Sequence, residues 1–158
     1  MKESIKKVAK ILIEKKLTIA FAESATAGRL AAEFSMPKNA GKYLKGGLVC
    51  YDAALKKNIL GVKSKVIEKH TPESKQVTKA ITTGLQKLID ADIHVGITGL
   101  PAPGGSETTK KPVGTMFIHA IKNGKTFFNE RKVFSGKPEE IIIGAVNHTA
   151  QLLLKNLQ

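Results

Sequence analysis

A chain of 158 residues, 42% of them hydrophobic, fits one globular domain over 1–158 with a real core. No apolar run approaches the roughly 18–20 residues that cross a bilayer, and Met1–Lys7 lacks the apolar stretch and cleavage site of a signal peptide, so the expected location is cytoplasmic, away from membranes. The net charge is +13, but only Arg29 and Arg131 are arginines, the lysines are scattered and aromatics are few; this argues against nucleic acid as partner and for a solvated basic surface.

Residues 4–16 carry Ile5, Val8, Ile11 and Leu12 at helical spacing, with Ser4 placed to cap. Leu17–Ala22 reads as a short strand, and residues 27–35 as a helix with Leu30, Ala31 and Phe34 on one side. Met36–Lys45 is a loop with room for one helical turn. Gly47–Tyr51 reads as a buried strand, and 52–60 as a helix stopped by Gly61. The single cysteine, Cys50, excludes an internal disulfide and reads as a small core residue. Val66–His70 forms a short helix or a turn. Thr71-Pro72-Glu73-Ser74 opens a longer helix to Ile89, with Val77, Ile81, Leu85 and Leu88 as its apolar face.

Ile93–Gly99 is a third strand, and Leu100–Pro112 a loop of thirteen residues. Val113–Ile121 and Thr126–Phe134 predict a hairpin around Lys122-Asn123-Gly124-Lys125. A last helix spans Pro138–Leu154. The order predicts an α/β protein, a layered α/β/α sandwich whose mixed sheet has a parallel part and a C-terminal antiparallel hairpin. The last helix, with Ile141, Ile142, Ile143, Val146, Leu152, Leu153 and Leu154, is more apolar than one buried face needs, which predicts a homodimer.

Two glycine-rich segments stand where strands should end: Ala22-Glu23-Ser24-Ala25-Thr26-Ala27-Gly28, and Gly96 through Gly105. Ligands of α/β folds gather at that sheet edge. Ser24 either caps the following helix or is an exposed nucleophile, with the N–H groups of Ala25, Thr26 and Ala27 near enough to hold an oxyanion. The segment is neither a G-x-S-x-G elbow nor a Walker A loop. A serine nucleophile needs a base, and the four histidines read as structural. Lys56, about one helical turn after Tyr51, is an alternative base if burial keeps it neutral; otherwise Lys56 and Lys57 form a solvated helix face. The long loop, with Gly99, Gly104 and Gly105, is either a rigid ligand-binding wall or a surface turn. No metal-ligand spacing is present, and no cofactor is expected.

Taken in order, four motifs resemble the C-terminal domain of the competence/damage-inducible CinA family, which includes nicotinamide-nucleotide amidohydrolases of the PncC type. They are Ala22 to Gly28, Gly46-Gly47 through Tyr51 and Lys56 to Leu60-Gly61-Val62, Gly99 to Gly105, and Lys111-Pro112-Val113-Gly114-Thr115. The resemblance covers nearly the whole chain. Larger family members carry an N-terminal domain with no counterpart in this sequence. The resemblance implies metal-independent hydrolysis of the carboxamide of nicotinamide mononucleotide to nicotinate mononucleotide and ammonia. Ser24 would be the nucleophile, Lys56 the general base and Tyr51 an orienting or proton-relaying group. Ala25, Thr26, Ala27 and Gly28 would line the oxyanion side, and Gly99, Gly104, Gly105 and Thr115 would shape the nucleotide pocket.

The sequence departs from the family pattern in places. Ala25 stands for a cysteine, and Ala27 and Ala102 for glycines; Asp52-Ala53 replaces a Ser-Asn pair. The family's F-x-G-D-R and following arginine become Phe134-Ser135-Gly136-Lys137-Pro138 and Ile141-Ile142-Ile143. A phosphate would then meet Lys137 or another lysine, or the ligand differs. The competing function is a nucleotide-binding or regulatory module without turnover.

Overall fold

The computed structural model describes residues 3–158; Met1 and Lys2, part of the stretch read against a signal peptide, lie outside the described residues. The elements are α1 (Glu3–Glu14), β1 (Ile19–Glu23), α2 (Arg29–Ser35), a one-turn 3-10 helix (Ala40–Lys42), β2 (Leu44–Val49), α3 (Ala53–Asn58), α4 (Ser64–His70), α5 (Lys75–Leu88), β3 (Ile93–Gly99), β4 (Thr115–Lys122), β5 (Lys125–Val133) and α6 (Pro138–Leu157). The five strands lie in the order β2-β1-β3-β4-β5. β1 pairs in parallel with β2 and with β3, while β3–β4 and β4–β5 are antiparallel. The mixed sheet is the one the element order predicts.

Strand residues alternate between two helical layers because successive side chains leave opposite faces. Ile19 and Phe21 of β1, with Ile93, Val95 and Ile97 of β3, pack on α1, α2 and α6 through Val8, Leu12, Leu30, Phe34, Ala145 and Leu153. Ala20 and Ala22 face the other way, onto Cys50, Val77, Ile81 and Leu85. Helix α5 lies unusually close to that face. A Cβ on Gly96 would stand 2.2 Å from Thr82 Oγ1, so the glycine is the condition for the approach.

Several boundaries differ from the sequence expectation. Ser4 sits inside the first turn of α1, not at its cap position. β2 covers Leu44–Val49 instead of Gly47–Tyr51 and alternates between half-buried and exposed residues, because it is a sheet edge with only β1 beside it. The helix expected from residue 27 starts at Arg29, since Ala27 (φ 47°) and Gly28 (φ 94°) are left-handed. Pro72 lies outside α5, whose cap is Ser74: its Oγ accepts from the Val77 amide at 3.2 Å. α6 continues to Leu157. Much of its apolar excess is consumed within the chain, with Ile141, Val146 and Leu153 buried in the core, while Ile142, Ile143, Leu152 and Leu154 remain half-buried. Among the described residues, no helix is long and apolar enough to cross a membrane.

Candidate active site

The carboxyl ends of β1 and β3 define the site. Beyond Glu23 the chain turns sharply through Ser24–Gly28 before entering α2. Glu23 organises that turn from within: its buried carboxylate accepts from Thr26 Oγ1 (2.6 Å) and from the amides of Gly28 (3.1 Å), Leu30 (2.9 Å) and Ala31 (2.8 Å). These amides are donors that the first turn of a helix leaves unpaired, so a carboxylate there satisfies them and matches the positive end of the helix dipole. Main-chain bonds lock the residues on either side of it. The Ser24 amide donates to Ile97 O at 3.0 Å, and the Cys50 amide donates to Glu23 O at 2.8 Å.

Held this way, Ser24 is 7% exposed and its hydroxyl meets Lys56. Lys56 Nζ lies 2.9 Å from Ser24 Oγ, 2.7 Å from Cys50 O and 3.1 Å from Tyr51 O. The lysine is 1% exposed, so the solvated-face reading fails for Lys56 while Lys57 beside it is exposed. Asp52 caps α3, accepting from the Ala54 amide at 2.6 Å, and so fixes the turn that aims Lys56 inward. Burial pushes the Lys56 amine below the ordinary lysine range; the Cys50 thiol, Glu73 and Asp52 pull it partly back. A neutral amine has two protons and a lone pair. As an ammonium, Lys56 donates to the serine oxygen and both carbonyls; once neutral, its two protons suffice for the carbonyls and the lone pair is left for the serine hydroxyl.

The cavity beside Ser24 measures about 250 Å³. Its walls are Ser24, Ala25, Tyr51, Glu73, Gly99 and the loop Leu100–Gly105. The loop is rigidly tied. The Leu100 amide donates to Thr115 O (2.9 Å), the Gly114 amide to Leu100 O (2.7 Å) and the Gly104 amide to Glu107 Oε1 (2.8 Å). Among the described residues, no hydrogen bond takes up the amides of Ala25 and Thr26. Of these two, Ala25 is on the cavity wall.

Of the residues singled out from sequence, Ser24, Ala25, Tyr51, Gly99, Gly104 and Gly105 meet at this cavity, with Lys56 behind the serine. Others do not reach it. The Ala27 amide is spent on Ser24 O at 3.1 Å, and that of Gly28 on Glu23, so neither is an oxyanion donor. Thr26 turns its hydroxyl to Glu23 and offers only its amide. Thr115 is fully buried and donates to Pro112 O at 2.6 Å, which makes it a loop anchor instead of a pocket residue. Tyr51 touches Lys56 through its carbonyl; the residue is on the cavity wall and 64% exposed. Lys137 is exposed at the start of α6, off the cavity wall. No histidine is on that wall, and His94 instead bonds Ile89 O through Nε2 at 2.7 Å.

Sequence reasoning missed Glu23 and Glu73. An acidic residue closing a strand just before a turn into a helix is a legible signal for Glu23, because helix N-termini attract carboxylates. Nothing local distinguishes Glu73 from any other polar residue near a helix start.

The architecture defines a class: an α/β/α sandwich with a buried lysine against a serine at the carboxyl edge of parallel strands. A family model described as the CinA C-terminal domain matches residues 1–157, and the chain belongs to that family. A CinA-like protein of Thermotoga neapolitana is 38% identical over 151 residues, spanning 96% of this chain and 35% of its own length. One from Thermotoga maritima is 42% identical over 116 residues, 73% of this chain and 28% of that protein. The chain thus spans about a third of the curated relatives it matches. The crystal structure of a competence-damaged protein (CinA) superfamily protein from Enterobacter cloacae superposes with a TM-score of 0.92 at 29% identity, covering 99% of this chain and 91% of that one.

Proposed function

We propose that the domain is a metal-independent Ser/Lys amidohydrolase that deamidates nicotinamide mononucleotide. The observation carrying this reading is the 2.9 Å contact between Ser24 Oγ and the buried Lys56 Nζ. In the proposed reaction, Lys56 takes the Ser24 proton as Oγ attacks the carboxamide carbon. The oxyanion formed meets the Ala25 amide on the cavity wall, a fixed donor aimed at charge as it develops. The C–N bond breaks as the Lys56 ammonium returns the proton to the leaving nitrogen, releasing ammonia and leaving an ester on Ser24. Water, deprotonated by Lys56, then attacks that ester. The carboxylic acid leaves as its carboxylate and Ser24 regains its proton.

The test is ammonia release from nicotinamide mononucleotide by the purified protein. Ser24→Ala is expected to lower the rate at least 10³-fold, the order of loss expected when a covalent nucleophile is removed. Equal rates in the two proteins would refute the role of Ser24.

A second reading has one observation in its favour: no lysine or arginine side chain lies on the wall of the cavity to receive a phosphate. On that reading the domain binds a nucleotide without turnover, and calorimetry would give binding with no ammonia after long incubation. With either reading we propose self-association as a homodimer through the half-buried Ile142 and Ile143 of α6. A monomer in sedimentation at all accessible concentrations would exclude it.

A further inference from the structure

In a chain of net charge +13, the one charged side chain on the wall of the Ser24 cavity, among the described residues, is an acid, Glu73. It precedes the cap residue of α5, and its carboxylate is oriented from one side only. Ser106 Oγ donates to Glu73 Oε2. Lys111 Nζ supports this contact from behind, donating to Ser106 Oγ (2.7 Å), Glu73 O (2.9 Å) and Thr71 Oγ1 (2.6 Å). An ammonium has three protons, so all of them are spent and none goes to the carboxylate. Among the described residues, Glu73 has no ion pair, and its Oε1 has no hydrogen-bond partner. Oε1 lies 4.0 Å from where a Cβ on Gly105 would stand, and Gly105 is itself on the cavity wall. The result is a carboxylate on the cavity wall, held through Ser106, whose nearest cation, Lys111, attracts it but reaches it only through the Ser106 hydroxyl.

Such a group repels an acid and attracts a cation across a narrow, partly dehydrated gap. We propose that Glu73 is a specificity-determining residue whose Oε1 faces the cationic ring of the amide substrate, so that the cavity prefers an N-substituted pyridinium carboxamide to a neutral carboxamide of the same shape. The inference rests on the amidohydrolase reading and concerns recognition of the ring, not of the phosphate. It also gives product release a direction. Hydrolysis converts the carboxamide into a carboxylate, which Glu73 repels. A bound cation would offset the field that Glu73 exerts on Lys56, which otherwise favours the charged amine.

Nicotinamide mononucleotide and its 1,4-dihydro form share ribose, phosphate and carboxamide, but only the oxidised ring is charged. Their dissociation constants are to be measured on the full chain carrying Ser24→Ala, so that turnover does not intervene. The expected result is a preference of about tenfold for the oxidised nucleotide, or about 1.4 kcal/mol. Adding Glu73→Gln, which keeps an acceptor for Ser106, should abolish the preference without shifting the melting temperature, and Glu73→Asp should retain part of it. A preference that survives Glu73→Gln, no preference at the outset, or no binding of either nucleotide overturns the proposal. The two readings fail separately. A Glu73-dependent preference without ammonia release by the Ser24 protein removes only the hydrolase; ammonia release with a preference indifferent to Glu73→Gln removes only the role of Glu73.

Discussion

Lys56 is a lysine whose surroundings oppose its charge. Burial disfavours the ammonium, and the two backbone carbonyls that hold Nζ need only the two protons of a neutral amine. The proposed base is therefore active when deprotonated, and its lowered pKa brings that form toward neutral pH. The rate of ammonia release should rise with pH through the Lys56 transition, below the ordinary lysine range, and then level off. Lys56→Arg keeps the charge but cannot yield its proton, and the loss expected of a general base is about 10²–10⁴-fold. A pH–rate profile of both proteins checks this; a flat wild-type profile, or an active arginine variant, would exclude the role. Ser24 and Lys56 were both legible as candidates because a serine at a strand end and a lysine one turn into a helix can share a sheet edge. Its spacing from Tyr51 and the family motif single out Lys56 over Lys57, but the contacts that hold it were not legible. They are made to the carbonyls of Cys50 and Tyr51, a matter of tertiary placement.

At the scale of the element, the turn between β1 and α2 depends on Glu23. Its carboxylate satisfies three backbone amides and a hydroxyl in a place that water does not reach. Leaving a buried donor unpaired costs about 1–3 kcal/mol. Glu23→Ala strands several, and with partial relaxation the expected loss is about 3 kcal/mol of unfolding free energy, read from urea denaturation. Glu23→Gln should also destabilise, since its amide nitrogen is a donor aimed at donors. A loss below about 0.5 kcal/mol in Glu23→Ala would mean that the turn is held by its main-chain bonds alone. Element types were well marked by periodicity, whereas boundaries were set by features that periodicity does not carry. The left-handed pair Ala27–Gly28 delays α2, and a sheet edge with one neighbour shifts β2 toward Leu44. Thr115 looked like a pocket residue because it closes a glycine-containing motif, but its hydroxyl is needed to tie the loop to Pro112.

For the whole molecule, the layered mixed sheet could be read from element order, while the strand order β2-β1-β3-β4-β5 required the coordinates, since sequence does not say which neighbour a strand takes. Charge is the other property of this scale. The net +13 is spread over many lysines, and the described residues contain only three candidate ion pairs, one of which depends on a protonated His148. A chain of this length has a radius of gyration of about 15 Å. The Debye length is about 30 Å at 0.01 M salt and about 10 Å at 0.1 M, so at low salt nearly every pair of positive charges in the fold repels. Unfolding separates these charges, so screening should favour the compact state. Raising sodium chloride from about 0.01 M to about 0.3 M should therefore stabilise the protein, and a gain of about 1 kcal/mol corresponds to a melting temperature about 2–4 °C higher for a chain of this size. Replacing pairs of exposed lysines remote from the cavity, such as Lys65 and Lys69 on α4, by glutamate should reduce that salt response in step with the charge removed. A melting temperature that falls with salt would show that the few local ion pairs outweigh the global repulsion.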